Sequence, residues 1–229
     1  MNTEKVKTVR ENLQTVQEKI QTACERSGRE PDEITIIGVT KYVSNERAKE
    51  AIQAGVIHLG ENRDNEFLAK YNDIGHDAKW HFIGTLQSRK VRDVVNKVEA
   101  IHSVERMSVI RQIESRAESP VDCFVQVNVS GEETKHGLKP EEVIPFIKET
   151  EDYPKARIVG LMTMAPHIDD ETVIRKVFQD LATLRDEVMQ QNFPHAPCKY
   201  LSMGMSNDYE IAIEEGATHI RIGSELVGK

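Results

Sequence analysis

The sequence predicts an α/β fold, a single-domain (β/α)8 barrel of the TIM type with an extra amino-terminal helix. Three observations lead there. Short β-branched runs and amphipathic stretches alternate along the chain. Eight such runs can be counted, and 229 residues is a comfortable length for one barrel. No Pro/Gly/Ser-rich linker, internal repeat or low-complexity tract divides the sequence, so one domain over 1–229 is expected. An open doubly wound sheet shares the same alternation, and periodicity alone leaves it as the alternative.

The elements follow in order. Val6, Val9, Leu13, Val16 and Ile20 step by three and four, which predicts an amphipathic helix ending near Ser27-Gly28. Ile34 to Lys41 is the first strand, followed by a helix over Glu46 to Ala54 that Gly55 stops. Val56 to Leu59 is the second strand, and Gly60-Glu61-Asn62 leads into a helix through Tyr71. Further strands are expected at Trp80 to Ile83, Ala100 to Ser103, Val121 to Val129 and Arg157 to Met162. The clearest helix runs from about Glu171 to Gln190, with Val173, Val177, Leu181, Leu184 and Val188 on its buried face. Strands at Lys199 to Ser202 and Thr218 to Ile222 flank a helix from about Asn207 to Glu215, which Gly216 ends. After the last strand only Gly223 to Lys229 remain, so the surplus amino-terminal helix is expected to cover the gap a closing helix would fill.

Composition narrows the function classes. Thirty Lys and Arg against 38 Asp and Glu leave a net charge of −8, which disfavours a non-specific nucleic-acid binder. No run approaches the roughly 18 apolar residues that cross a bilayer. MNTEKVKTVRENLQ lacks a signal-peptide core, and three cysteines with no CxxC fit a reduced cytoplasm. The histidines show no HxxH or HExxH spacing, so no metal site is expected.

Reactive groups in such a barrel belong at the carboxyl ends of strands. The first strand ends in Val39-Thr40-Lys41. A lysine there either snorkels to solvent or offers a desolvated amine that condenses with a carbonyl as a Schiff base. Strand alternation puts the neighbouring Tyr42 on the opposite side of the sheet. After the seventh strand, Gly204 allows close backbone approach and Ser206 sits where a helix N-cap belongs, either as a plain cap or as part of an anion site. Gly223-Ser224 after the eighth strand is either an ordinary turn or the other half of a phosphate cup. An amine and a phosphate cup at one barrel mouth fit pyridoxal 5'-phosphate, which offers an aldehyde and a phosphate on one ring. Arg221 shares a strand face with His219 and Gly223 and can point to the mouth, towards the pyridine nitrogen, or join a buried ion pair. A guanidinium does not readily protonate that nitrogen, so the cofactor would be a poor electron sink.

Val39-Thr40-Lys41, Gly60-Glu61-Asn62, His81 to Gln87 (HFIGTLQ), Gly160 to Met164 (GLMTM), Ser202 to Ser206 (SMGMS) and Arg221-Ile222-Gly223 occur in that order. Together they resemble the pyridoxal phosphate homeostasis protein family, single-domain relatives of the alanine racemase amino-terminal barrel. The resemblance implies a cytoplasmic vitamin B6 carrier. In it Lys41 holds the cofactor as an internal aldimine, Ser206, Gly223 and Ser224 contact phosphate, and Arg221 faces the pyridine nitrogen. It places Asn62 and His81 near the ring. Met162, from the GLMTM segment, joins the cofactor set, although methionine there also suits a core. His81 has the plainer reading of a hydrogen-bonded strand residue, and Lys135-His136-Gly137 is a polar loop that the resemblance brings near the pocket. This chain departs from the family at the rim, with Tyr42-Val43-Ser44 where Thr-Lys-Pro is common, and with Arg63 and Arg89.

Two other readings stay open. A racemase of the fold-type III class needs acid/base groups on both faces of its substrate, and its relatives take the second from a further β domain for which no residues remain here. A Schiff-base aldolase needs a proton-transferring group that no strand end offers. The expected function is therefore a carrier that takes part in pyridoxal phosphate homeostasis, with no catalytic residue and no substrate turnover. Its expected partners are the cofactor and, transiently, client enzymes that use it, with neither nucleic acid nor membrane, and it is expected to be a monomer.

Overall fold

The computed structural model describes residues 7–132 and 136–228; Val6 and Lys135 lie outside them. Helix α1 (Val9–Ser27) begins with a capping box in which Thr8 Oγ1 accepts from Glu11 N–H and Glu11 Oε2 accepts from Thr8 N–H. Eight strands follow: β1 (Thr35–Val39), β2 (His58–Glu61), β3 (Lys79–Phe82), β4 (Ala100–Val104), β5 (Val121–Gln126), β6 (Ala156–Met162), β7 (Tyr200–Met205) and β8 (His219–Ile222). Between them run α2 (Asn45–Ala54), α3 (Asp64–Ile74), α4 (Val91–Val94), α5 (Met107–Arg116), α6 (Pro140–Glu149), α7 (Glu171–Gln190) and α8 (Tyr209–Glu214), and α9 (Ser224–Val227) follows β8. Each strand pairs in parallel with its sequence neighbour, and β1 pairs with β8, so the sheet closes into a barrel and the doubly wound alternative falls away.

The apolar core lies mainly between strands and helices. In α1, Val9, Leu13, Val16 and Ile20 are all buried, and each such side chain taken from water contributes about 2 kcal/mol. That face packs on α8, α9 and α2, so the first helix does close the barrel flank beside β8, assisted by the single turn of α9, which the sequence reading omits. Helix α7 has the expected bounds, with Asp170 capping two N–H groups. Its buried face starts at Ile174 rather than Val173, which is 42% exposed, because Ile174 continues the row through Val177, Phe178 and Leu181.

Three departures matter for function. Strand β1 ends at Val39, so Thr40 and Lys41 belong to a turn and strand alternation does not govern Tyr42. Tyr42 adopts a left-handed φ of 70° and is 68% exposed. Strand β7 continues through Gly204 to Met205, past the expected end at Ser202. There the β7–β8 register slips between Ser202 and Met205, and Gly204, at φ 95°, accommodates the irregularity. A Cβ on Gly204 would lie 2.7 Å from Ala212 Cβ and 2.9 Å from Tyr209 Cα, so only glycine lets β7 cross α8 so closely. The helix consequently starts at Tyr209 behind Asp208, and Ser206 is not its N-cap.

Candidate functional site

The turn after β1 is held from below. Thr40 N–H donates to Gly60 O at 3.1 Å, and Thr40 Oγ1 donates to Glu61 Oε1 at 2.6 Å. The same carboxylate oxygen receives Lys70 Nζ at 2.9 Å, with Glu61 fully buried and Lys70 nearly so. This buried pair fixes the residue before Lys41. Among the described residues no carboxylate pairs with Lys41; its amine lies 5.7 Å from the Tyr42 ring, whose other neighbour is Arg63 at 5.6 Å.

Lys41 opens into a cavity of about 460 Å³ at the carboxyl ends of the strands, a size typical of small-ligand sites. Asn62, Met162, Ser206, Arg221, Gly223 and Ser224 line the same cavity. Seven of the eight residues singled out from the sequence are thus brought together from five separate segments. Another depression, of about 560 Å³ around Arg89, Lys90, Arg92 and Arg116, contains none of them.

Local packing explains the motif around Asn62. The backbone of Gly84, in the HFIG segment, crosses so close that a Cβ there would fall 2.1 Å from Asn62 O. That contact sets where residue 62 stands. Its Oδ1 is buried without a hydrogen-bond partner, an orphan polar atom that a ligand hydroxyl or, after an amide flip, a ligand acceptor satisfies. Across the cavity, Ser206 Oγ accepts from Gly223 N–H at 3.3 Å, tying the loop after β7 to the end of β8. A Cβ on Gly223 would meet only Val39, at an ordinary 3.5 Å. Protein packing therefore does not demand glycine there; the missing side chain leaves room for a ligand. The first N–H groups of α9 have no intrahelical acceptors, and Ser224 adds a hydroxyl. One amine, a hydroxyl-rich cup and an orphan amide fit an aldehyde that carries a phosphate.

Arg221 rises from β8 and is 4% exposed. Its Nη1 donates to Ser202 Oγ at 2.6 Å and its Nη2 to Thr163 O at 2.9 Å, and its remaining N–H groups are what it can offer the cavity. Burial lowers its pKa to about 10, while the nearby Asp208 acts to raise it. Burial in turn raises the Asp208 carboxyl above its ordinary value, and that carboxylate accepts from Met205 N–H at 2.6 Å. Of the two sequence readings of Arg221, the direct ion pair does not describe it, because its hydrogen bonds go to neutral oxygens, while its side chain does line the cavity at the barrel mouth.

His81 does not reach this cavity. It lies inside the barrel, 2% exposed, with Nε2 2.8 Å from His58 Nδ1 and Nδ1 2.9 Å from His102 Nε2. The plainer reading of a hydrogen-bonded strand residue describes it. Sequence reasoning did not find Ser202, Thr163, His102 or Asp208 as partners of the site. Ser202 opens SMGMS and Asp208 lies two residues beyond it, so both are visible there, but only the closed barrel brings His102 and Thr163 beside Arg221. His136 lines the cavity, 3.7 Å from Glu105. No metal-binding group of three or more ligands occurs among the described residues.

The alanine racemase N-terminal domain family matches residues 5–229. A protein of Aquifex aeolicus named pyridoxal phosphate homeostasis protein is 42% identical, over 99% of this chain and 97% of its own. A structure from Bifidobacterium adolescentis superposes with a TM-score of 0.90 at 32% identity, over 95% of this chain and 94% of that one. PipY of Synechococcus elongatus, solved with pyridoxal phosphate bound, has a TM-score of 0.82 at 29% identity, over 96% of this chain and all of its own. The chain belongs to the alanine racemase N-terminal domain family and, within it, to the pyridoxal phosphate homeostasis proteins.

Proposed function

We propose that residues 1–229 act as one cofactor-binding barrel that holds pyridoxal 5'-phosphate as an imine on Lys41. On this reading the protein takes part in cytoplasmic vitamin B6 homeostasis, handing cofactor to client enzymes without turning over a substrate. The observation that carries it is the meeting of Lys41, Asn62, Met162, Ser206, Arg221, Gly223 and Ser224 around one cavity. When bound, the cofactor supplies an aldehyde, whose condensation with the Lys41 amine releases one water. The buried Thr40–Glu61–Lys70 cluster holds the turn that carries this amine. Ser206, Gly223 and Ser224 receive the phosphate, while Gly223 leaves the space it needs. Arg221 donates towards the ring nitrogen and keeps it unprotonated, which works against chemistry that needs a stabilised carbanion. That favours holding over turnover. The three cysteines are buried and unpaired, which suits a reducing compartment, and no described helix is long and apolar enough to cross a membrane.

The test is visible absorption of protein incubated with pyridoxal phosphate and then desalted. Yellow protein is expected, with the colour abolished in Lys41→Ala. Wild-type protein that stays colourless overturns the reading. Racemase activity is the competing outcome, and Lys41-dependent deuterium exchange at Cα of L-amino acids with D-isomer formation would establish it.

A further inference from the structure

The barrel interior contains histidines that the cofactor reading does not use, linked through Ser202 to Arg221, which it does. His58 on β2, His81 on β3, His102 on β4, Ser202 on β7 and Arg221 on β8 form one continuous chain across it. Successive contacts are His58 Nδ1 to His81 Nε2 at 2.8 Å, His81 Nδ1 to His102 Nε2 at 2.9 Å, His102 Nδ1 to Ser202 Oγ at 2.8 Å, and Arg221 Nη1 to Ser202 Oγ at 2.6 Å. His81, His102, Ser202 and Arg221 are buried, and half-buried His58 is the end nearest solvent.

The direction of this chain follows from its last member. A guanidinium only donates, so Ser202 Oγ must accept from Arg221. The Ser202 hydroxyl proton then has His102 Nδ1 as its acceptor. Pointing the chain the other way would make Ser202 accept twice and leave its own proton unplaced in a buried site. With Nδ1 bare, neutral His102 carries its proton on Nε2 and donates to His81 Nδ1. The same logic puts the proton of His81 on Nε2, facing His58 Nδ1, and that of His58 on its outer Nε2.

We propose that Ser202, His102, His81 and His58 form a one-way hydrogen-bond relay, polarised throughout towards Arg221, and that they are positioning residues for its guanidinium. Every link turns its acceptor towards Arg221 and its donor away. Aligned dipoles thus support a buried cation whose hydrogen bonds reach no carboxylate. His102 is clamped in this alignment by Phe124, stacked at 4.3 Å and 12°. The charged and titratable groups facing the relay are Lys79 and Glu99 beside His58, His219 beside His81 and His102, and Asp208 beside Arg221. Burial, the largest influence on each, holds His81 and His102 well below the ordinary histidine value, so both rings are neutral. His81 therefore acts on the cavity through Arg221, without touching its contents. What Arg221 faces there rests on the cofactor reading; the relay itself does not.

Ligand-free protein provides the test, which separates the two. Long-range ¹H–¹⁵N correlation of the imidazoles at neutral pH is expected to show His58, His81 and His102 each with a bare Nδ1 and a protonated Nε2. A protonated Nδ1 on any of the three, or a cationic ring at His81 or His102, overturns the relay. In His81→Phe the His102 Nε2 proton loses its acceptor. A mixed His102 tautomer is then expected, with Arg221 side-chain protons exchanging about tenfold faster, the scale of one lost hydrogen bond. His81→Gln, whose amide accepts from one side and donates to the other, is expected to restore both signals. Unchanged His102 and Arg221 signals in His81→Phe overturn the positioning role. Failure of the protein to take up pyridoxal phosphate overturns only the cofactor reading.

Discussion

Placing neutral histidines inside the barrel makes the fold sensitive to acid well above the pH at which carboxylates titrate. Burial, followed by the charges of His58 and Arg221, lowers His219 from an ordinary 6.5 to about 4, and burial takes His81 and His102 well below 6.5. A depressed histidine stays neutral in the folded protein while the unfolded chain binds protons. Stability is therefore complete above the unfolded pKa and is lost as pH falls from about 6.5 towards the folded value. Between pH 7 and pH 5 a histidine held neutral in this way, such as His219, costs about 2 kcal/mol, and His81 and His102 act in the same direction. Asp208, raised by burial, binds its proton more readily when folded and works in the opposite direction. Three rings against one carboxyl leave a net loss of stability as the pH falls. Trp80 is the single tryptophan and is 1% exposed, so its fluorescence reports unfolding cleanly. Urea titrations of ligand-free protein at the two pH values should show the midpoint falling, with net uptake of protons on unfolding near pH 5.5. A midpoint that does not move between pH 7 and pH 5 would show that these rings are not held neutral and would refute the reasoning.

Three substitutions probe the supports of the cavity. Gly84→Ala puts a Cβ 2.1 Å from Asn62 O, so a loss of about 3 kcal/mol in urea unfolding is expected, together with weaker retention of pyridoxal phosphate as Asn62 is displaced. Glu61→Gln leaves buried Lys70 without its counter-ion; a loss of about 3 kcal/mol or more is expected from thermal or urea melts, and an unchanged melt would show that the pair does not hold the Lys41 turn. Ser206→Asp places a negative charge beside the proposed phosphate position. Equilibrium dialysis should then show weaker cofactor retention with little change in stability, and equal retention would put the phosphate elsewhere.

How legible the molecule is in its sequence depends on whether a feature is local. The bounds of helix α7 are readable because its capping aspartate and 3.6-residue apolar row are local to it, although the buried face begins one residue later than Val173. The eight strands are readable in number because each is a short apolar run between turn residues. Their ends are not. Gly204 resembles a stop, yet its left-handed φ accommodates a slip in pairing with β8 and lets β7 continue. Lys41 reads as the last residue of a strand because Thr40 and Lys41 extend a β-branched run; the Thr40–Glu61 bond that places it in a turn joins residues 21 positions apart. Six of the cavity residues sit in short motifs beside glycines, serines or a strand end, and Met162 in a strand that also suits a core. His81 shows the limit of this reading. Its motif is distinctive, but whether the ring faces a ligand or another ring depends on His58 and His102 from neighbouring strands, which only barrel closure specifies.

The central claim is that Lys41 carries the cofactor. Protein loaded with pyridoxal phosphate, reduced with borohydride and digested should yield one phosphopyridoxyl adduct, on the peptide containing Lys41. An adduct on another lysine, or no adduct on protein that is visibly yellow, would contradict the account.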